Sequence, residues 1–249
     1  MKIIRYEKKK NGMYQIFFED NYDVDIHEEI ILKNQLLFKK NISKDILDKM
    51  LLENEKYIAY DVAVKYISTK LRTKKEVFSY LLKKNISENS ISEVITLLEN
   101  NKILNDDIYA NAYINDKILL SNDGPHKIRN SLIELGINEK SINSSLLAFD
   151  DDLQKDKINK IIDKEIKINR NKSNSTLKNK ILQRLYTLGY DKNIAIELLN
   201  NKNFNSDNDL AKIQYKKIYD KLSKKYSGKD LEIKVKQKMY SLGFRDSIE

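Results

Sequence analysis

Apolar residues recur along the chain with a long period and at fixed offsets. Four anchor residues, Asn85, Gly136, Gly189 and Gly243, stand 51, 53 and 54 residues apart. Positions minus eight, minus four, minus three and plus one from each anchor are apolar in all four copies, although only 41% of the chain is apolar. The sixteen residues are Val77, Leu81, Leu82, Ile86, Ile128, Leu132, Ile133, Ile137, Ile181, Leu185, Tyr186, Tyr190, Val235, Met239, Tyr240 and Phe244. The period predicts a tandem array of repeats, each burying its apolar face partly against its neighbour.

Start and stop signals predict three helices in each repeat. A glycine at the anchor suits the left-handed residue that ends a helix, and Asn85 is the best substitute for glycine there. Thr73 and Glu76 form a capping-box pattern, and Pro125 suits a first helical position. Ser227 to Asp230 resembles the capping box, with Asp in place of Glu. The caps expected for the helix that follows each anchor are Ser87, Asn138 and Asp191.

The first thirty residues follow a different pattern. Asn11-Gly12 lies between two segments of strand-forming residues, 3–6 and 13–18, and this pair favours a tight hairpin turn. Residues 22–26 then alternate between apolar and polar, as a half-buried strand does. From Ser43 onward the apolar spacing is helical. The sequence therefore predicts a three-stranded meander followed by helices.

These patterns predict a mainly α fold: tandem three-helix repeats in an elongated curved array, with a small N-terminal β-meander. The expected boundaries are 1–42 for the meander, then 43–103, 104–152, 153–206 and 207–249 for repeats one to four. Only Arg245–Glu249 follow Phe244, so the fourth repeat is expected to be truncated.

Charge is unevenly distributed. The chain has a net charge of +9. Residues 153–249 hold 23 Lys and Arg against 12 Asp and Glu, whereas residues 1–152 hold 23 against 25. This asymmetry fits an electrostatic surface for nucleic acid or an acidic partner. It equally fits the codon bias of an AT-rich genome, because Lys outnumbers Arg 40 to 6 and Asn and Ile are abundant.

The composition excludes several kinds of chemistry. Cysteine is absent, so the chain has neither disulfides nor thiolate sites. His27 and His126 lie in different units and lack metal-site spacing, and the six glycines form no phosphate-binding loop. Asp150 to Asp152 is interpreted as a solvated linker. A binding protein rather than an enzyme is expected, without metal or cofactor. With no long apolar run or signal peptide, a cytoplasmic location is expected.

A helix, a tight turn and a second helix also describe a DNA-reading helix-turn-helix motif. The candidate recognition helices span residues 87–100, 138–149 and 191–201. The first contains three glutamates and neither Lys nor Arg, whereas contacts to bases and phosphates favour Arg, Lys, Asn or Gln. Sequence-specific DNA reading is therefore disfavoured.

Several motifs in order resemble the RecX family of recombinase regulators. These are an alanine-containing first helix over residues 60–67, the turn residues Arg72, Thr73 and Glu76, the segment from Leu104 to Ala110, and Gly124-Pro125 with Ile128. The resemblance covers roughly residues 43–249 and looks like the longer Gram-positive members. It departs from the family pattern at Asn85, where glycine is usual, and in the looser third and fourth repeats.

The resemblance implies a regulator that binds the RecA filament on single-stranded DNA and mostly inhibits its ATPase, coprotease and strand-exchange activities. The implied partners are the RecA filament and single-stranded DNA, with duplex DNA bound at most weakly, and the chain is expected to be a monomer. Two alternatives stay open: a DNA-binding helical regulator that acts without RecA, and a helical-repeat scaffold.

Candidate site residues follow from these patterns. Among the matched family positions, Thr73, Glu76, Ala110 and Pro125 have structural explanations, and Arg72 has no evident local role. The expected partner-binding residues are Arg72, Asp106, Asp107, Tyr109, Lys127 and Arg129. The expected nucleic-acid-binding residues are Lys178, Lys180, Arg184, Lys216, Lys217, Lys224, Lys225, Lys234 and Lys236.

Overall fold

The computed structural model describes residues 1–10, 12–204 and 206–244. Most of this part of the chain is helical, and its strands all lie before residue 28, which confirms the predicted fold class. Asn11 of the predicted hairpin turn lies outside the described residues. The same holds for Arg245–Glu249, on which the expected truncation of the fourth repeat depended.

The strands form the predicted antiparallel meander in the order β1-β2-β3. They are β1 (Ile3–Lys8), β2 (Met13–Phe18) and β3 (Asp23–His27). A short helix that the pattern did not indicate, α1 (Glu28–Lys33), follows at once, with His27 as its N-cap. Buried Ile16, Phe18 and Ile26 share a core with Leu47 and Met50 of the first long helix. This burial provides the support that three strands need.

The remaining helices follow the predicted order of three per repeat. Those of repeat one are α2 (Lys44–Ile67), α3 (Lys74–Leu82) and α4 (Glu88–Asn100). Those of repeat two are α5 (Asp106–Leu120), α6 (Pro125–Glu134) and α7 (Glu139–Leu146). Those of repeat three are α8 (Asp151–Ile168), α9 (Asn174–Thr187) and α10 (Lys192–Asn200). The fourth repeat has α11 (Asp207–Leu222) and α12 (Gly228–Ser241) within the described residues.

Local signals set the helix ends almost as predicted. All four anchors have positive φ, from 61° at Asn85 to 92° at Gly243. Thr73 and Glu76 form a full capping box. The predicted caps Ser87, Asn138 and Asp191 all accept hydrogen bonds from backbone N–H groups of the helices that follow them. The exception is Ser227. It occupies the N-cap position of α12, but its side chain accepts no capping hydrogen bond.

The sixteen periodic apolar residues do not all enter the core. The residues at minus eight, minus four and plus one are buried in every repeat. Those at minus three are exposed in every repeat: Leu82 by 44%, Ile133 by 47%, Tyr186 by 72% and Tyr240 by 46%. The prediction that they belong to the buried face is wrong. Minus four and minus eight share one side of the helix, and minus three lies about 100° away from minus four.

The anchor glycines serve a second purpose, which is close packing between consecutive repeats. A Cβ on Gly136 would lie 2.9 Å from Lys75 Cβ at the start of α3. A Cβ on Gly189 would lie 2.7 Å from Lys127 Cβ near the start of α6, and one on Gly243 would clash with Ser173 and Thr176 at the start of α9. The second helix of each repeat therefore begins against the turn that ends the second helix of the next repeat.

This packing also explains why the first anchor is an asparagine. The helix turn at Asn85 has no preceding repeat to meet, and the residue is exposed. Asn tolerates positive φ, so only the local conformation constrains this position. At the other three anchors the close approach excludes any side chain.

The chain folds into two compact units. The first comprises Met1–Ala110 and Leu135–Ser141, and the second comprises Asn111–Glu134 and the described residues from Ile142 onward. The first contains the meander and repeat one, whose core includes Ala59, Val77 and Leu98. The second contains repeats three and four. The boundaries between individual repeats stay a prediction.

Candidate partner-binding and nucleic-acid-binding surfaces

Arg72 is held by its own repeat. Its guanidinium lies 3.9 Å from the centroid of the Tyr66 ring, and Tyr66 stacks in turn on Tyr80. The same group is 3.5 Å from the Glu76 carboxylate, and its Nη2 donates to Thr69 Oγ1 at 3.4 Å. Only 15% of the side chain is exposed. The expectation that Arg72 has no local role is wrong, because a cation–π contact and an ion pair already hold it.

Asp106 caps a helix other than its own. Its Oδ1 accepts a hydrogen bond of 3.0 Å from the backbone N–H of Lys74, at the start of α3. The residue is buried, and this burial raises the pKa of Asp106 despite the hydrogen bond from Lys74. Asp207 repeats the arrangement, accepting from the Asn174 N–H at 2.7 Å at the start of α9. Asp106 thus has a structural role that joins two helices of the first unit.

The other predicted partner-binding residues lie near the starts of α5 and α6. Asp107 is exposed in the first turn of α5, and Tyr109 is half-buried. Lys127 pairs with Asp123 at 2.7 Å, and Arg129 donates to Asn143 Oδ1 at 2.5 Å. Each of these two cations has a partner within its unit. The partner-binding role of the whole set stays a prediction.

Asp123 is the centre of a small charge cluster. It pairs with Lys117 at 3.0 Å as well as with Lys127. Burial acts to raise the pKa of Asp123, but the hydrogen bonds from Lys127 and Lys117 outweigh it and hold the pKa below its ordinary value. Burial, with the nearby charge of Asp123, raises the pKa of Tyr190 to about 12. The ion pairs of Asp123 with Lys117 and Lys127 stabilise the turn that precedes α6.

Three of the predicted nucleic-acid-binding residues have partners inside repeat three. Lys180 and Arg184 both pair with Glu165, of whose side chain only 2% is exposed. Lys178 lies 4.9 Å above the Phe204 ring. A buried carboxylate needs compensating charge, so Lys180 and Arg184 have a structural role at Glu165, and their predicted contact with nucleic acid stays a prediction.

The lysines of repeat four are different. Lys216, Lys217, Lys224, Lys225 and Lys234 are exposed, and none of them forms an ion pair with any described residue. Lys236 lies 6.0 Å above the Tyr240 ring. Exposed tyrosines accompany these lysines, at positions Tyr215, Tyr219, Tyr226 and Tyr240. Free cations interleaved with aromatic rings are typical of surfaces that bind single-stranded nucleic acid.

His27 is held by contacts with neighbouring residues of its own unit. His27 is buried, and its Nδ1 accepts from the Glu29 N–H while Nε2 lies 3.0 Å from Asp61. Its ring stacks on Tyr57. Over the described residues, no three His, Asp or Glu side chains cluster as a metal site requires. His27 instead joins the sheet to α2.

A helix that crosses a bilayer must be both long and apolar. None of the helices in the described part of the chain combines the two properties to the extent that a membrane span requires.

The chain is similar to known proteins along most of its length. A family model described as "RecX, first three-helix domain" matches residues 59–98, which include the α3 turn. The regulatory protein RecX of Streptococcus pyogenes is 32% identical over 249 residues, covering 98% of this chain and 95% of the relative. The chain belongs to the RecX family. The regulatory protein RecX of Oceanobacillus iheyensis is 27% identical, covering 97% of this chain and 92% of the relative.

Solved RecX structures share the fold. A crystal structure of regulatory protein RecX superposes with a TM-score of 0.70 at 23% identity, over 81% of this chain and 99% of the other. RecX from Lactobacillus salivarius superposes with a TM-score of 0.57 at 30% identity, over 59% of this chain and 96% of the other. The helical repeats are therefore shared with this family.

Two features of this RecX family member were not predicted from its sequence patterns. The first is capping at a distance, by Asp106 and Asp207, because a bond between residues 32 or 33 positions apart leaves no local signature. The second is the group of exposed tyrosines in repeat four. A signal for it existed, since Tyr215 and Tyr219 stand four residues apart in a lysine-rich helix and their rings stack at 6.0 Å.

Proposed function

We propose that the protein binds the RecA filament on single-stranded DNA and restrains the ATPase, coprotease and strand-exchange activities of RecA. The observation that carries this proposal is the match to a regulatory protein RecX over 98% of the chain, which includes all four repeats. The role is regulatory and requires no catalysis by the chain itself.

The cationic surface of repeat four supports a second part of the proposal. Lys216, Lys217, Lys224 and Lys225 have no ion-pair partner among the described residues. Lysines in this state can approach phosphates without first breaking an internal bond, and each phosphate contact releases a counterion. Repeat four therefore supplies the contact with single-stranded DNA, whether in the filament or free.

Retention assays with the full chain separate the proposal from its alternatives. Immobilised protein is incubated with RecA alone, with single-stranded DNA alone, and with RecA and DNA together in the presence of a slowly hydrolysed ATP analogue. We expect the strongest retention with both together, and slowed ATP hydrolysis when the protein is added to active filaments. Equal retention of DNA with and without RecA would indicate a DNA-binding regulator. Retention of neither would indicate a scaffold.

A further inference from the structure

The turn that leads from α1 into α2 exposes three large apolar side chains. Leu32 is 64% exposed, Leu37 51% and Phe38 87%. Leu32 lies at the end of α1, and the other two belong to a short 3₁₀ turn, Leu36–Phe38. A single exposed leucine is ordinary on a protein surface, whereas a phenylalanine is usually buried. We name Leu32, Leu37 and Phe38 the apolar knob.

The fold holds the apolar knob in its exposed position. Leu36 is fully buried in the core that the meander shares with α2. Its carbonyl oxygen accepts a hydrogen bond of 2.5 Å from the Tyr6 hydroxyl. Gln35 has a φ of 50°, which costs free energy in a residue other than glycine. Because the core fixes Leu36, the two residues that follow, Leu37 and Phe38, are directed into solvent.

Lysines flank the apolar knob, and part of their charge is uncompensated. Residues 30–44 contain four lysines and neither Asp nor Glu, and Glu29 and Asp45 are the nearest carboxylates along the chain. Lys33 is compensated by an ion pair with Glu53. The other three are exposed and form no ion pair with any described residue: Lys39, Lys40 and Lys44. Exposed apolar side chains beside free cations complement a surface that is apolar below an anionic layer.

The size and chemistry of the apolar knob favour a lipid surface over a macromolecule. A stable protein interface needs about 20–30 residues on each side, whereas the knob offers three side chains. Single-stranded nucleic acid stacks on successive aromatic rings, and Phe38 supplies the one ring of the knob. A bilayer requires no complementary pocket. It accepts apolar side chains below the headgroups, while lysines extend their ammonium groups to the anionic phosphates.

We propose that this turn is a peripheral contact site for an anionic lipid surface. Leu37 and Phe38 insert below the headgroups, and Lys39, Lys40 and Lys44 lie over the lipid phosphates. Apolar burial and electrostatic attraction add, and both are required for stable attachment. The contact is reversible and involves no membrane-spanning segment. The proposal goes beyond the binding of RecA and DNA and does not depend on it.

A tryptophan placed in the apolar knob tests insertion directly, because the chain contains no tryptophan of its own. Phe38→Trp in the full chain is mixed with vesicles of equal parts phosphatidylglycerol and phosphatidylcholine, or of phosphatidylcholine alone. The matched control is Leu120→Trp, at a side chain that is 84% exposed and follows a second exposed leucine, Leu119. The nearby Lys117 is already paired with Asp123. We expect the emission to move to shorter wavelength only for Phe38→Trp with the anionic vesicles.

Three results of this experiment would contradict the proposal. No change in the emission of Phe38→Trp with anionic vesicles would show that the apolar knob does not insert. Equal changes in Phe38→Trp and Leu120→Trp would indicate nonspecific adhesion of exposed apolar residues. A change with single-stranded DNA or with RecA filaments, and none with vesicles, would assign the knob to nucleic acid or to protein. Circular dichroism verifies that both variants keep their helical content.

Two further variants separate apolar insertion from charge. The first combines Leu37→Ser with Phe38→Ser, and the second replaces Lys39, Lys40 and Lys44 by Gln. Each should lower the partition into anionic vesicles by about tenfold or more in flotation assays. The serine variant should keep its affinity for single-stranded DNA, which a general loss of folding would not allow.

The controls make the same changes elsewhere in the chain. They are Leu119→Ser with Leu120→Ser, and the replacement of Lys216, Lys217 and Lys224 by Gln. Both should partition more strongly than the variants of the apolar knob and its lysines. If the lysine control abolished vesicle binding while the knob variants retained it, the attraction would be a general effect of positive charge, and the proposed site would be wrong.

Discussion

Arg72, Lys127 and Arg184 each lie against a carboxylate that the fold supplies. Arg72 pairs with Glu76, Lys127 with Asp123 and Arg184 with Glu165. The burial of these carboxylates differs, and it decides how much each pair matters. Removing one partner of a buried pair leaves an uncompensated charge, whereas removing one partner of an exposed pair costs little. The first effect of replacing one of these cations should therefore be a loss of folding stability.

Replacing Arg72 should lower the stability of repeat one. Arg72→Ala removes the cation–π contact with Tyr66 and the ion pair with Glu76, so the free energy of unfolding should fall by about 1–2 kcal/mol. Leu81→Ala, which truncates a fully buried side chain in the same unit, should cost about 2–5 kcal/mol. Urea denaturation followed by circular dichroism measures both. Unchanged stability of Arg72→Ala together with weakened filament binding would instead favour a direct contact between Arg72 and the partner.

Asp123 should make stability depend on pH in the acidic range. Its pKa is lower in the folded protein than its ordinary value of 3.8, so the charged carboxylate stabilises the fold above that pH. The contribution is lost as pH falls through the folded pKa. Asp123→Asn should therefore lower the melting temperature at pH 7 by about 2–4 °C, equivalent to about 1 kcal/mol for a chain of this size.

The comparison with the unchanged protein isolates this effect from other carboxylates that titrate in the same range. The difference in melting temperature between the two proteins should shrink as the pH is lowered below the ordinary pKa of the carboxyl. A difference that stays constant over this range would show that the hydrogen bonds of Asp123, rather than its charge, matter.

At the scale of elements, both ends of a repeat's second helix make specific contacts: the start is capped and the end packs against a neighbouring repeat. Its start is capped locally, as by Thr73 at α3, and by a residue of the next repeat, Asp106. Its end carries the anchor turn that meets the start of the second helix in the preceding repeat. Gly124 and Gly189 show how tight this contact is, since the Gly124 N–H donates to Leu188 O at 2.6 Å.

Gly189→Ala should destabilise the second unit through steric contact as well as backbone strain. Alanine at a φ of 83° costs about 1–2 kcal/mol, and its Cβ would also press on Lys127 at the start of α6. The matched control is Gly228→Ala, at a φ of 56° with nothing within 4 Å of the added Cβ, which should show the backbone cost alone. Thermal unfolding measures both variants. Equal losses would show that the repeats separate enough to admit a methyl group.

At the scale of the whole molecule, local pairing determines which positive charges remain available. Residues 153–249 carry 23 Lys and Arg against 12 Asp and Glu. The structure shows that some of these cations, such as Lys180 and Arg184, compensate a buried glutamate. The lysines of α11, α12 and the turn between them form no ion pair with any residue that the structure describes. The exposed lysines of repeat four therefore remain available for a partner, as do the exposed lysines Lys155, Lys164 and Lys167 of α8, which form no ion pair with a described residue.

Replacing Lys216, Lys217, Lys224 and Lys225 by Gln should weaken binding to single-stranded DNA and reduce its salt dependence. Each lost phosphate contact should reduce the slope of log affinity against log salt by about 0.7. The control carries the same charge change on exposed lysines near the meander: Lys39, Lys40, Lys44 and Lys49. Anisotropy titrations at several salt concentrations give both slopes. Matching slopes would indicate that the lysine excess reflects codon usage only.

The sequence by itself determined the class of fold and most of the helix ends. The spacing of apolar residues within a helix or strand and the capping signals involve residues only a few positions apart. The meander, the four anchors and the Thr73 capping box could therefore be predicted from the sequence. The motifs in order also indicated the RecX family, which the relatives show. Nothing in these local patterns depended on which repeats pack together.

Only the tertiary structure decided which of the patterned residues are buried and which charges are free. Minus three and minus four are equally apolar in sequence, yet the first faces outward in every repeat because helix packing uses only one side. Arg184 has no partner in the sequence pattern, and only the fold brings Glu165 beside it. The fold likewise places the Tyr66 ring against Arg72. Such contacts depend on distances between helices, and these are set by close approaches such as that of Gly189 to Lys127.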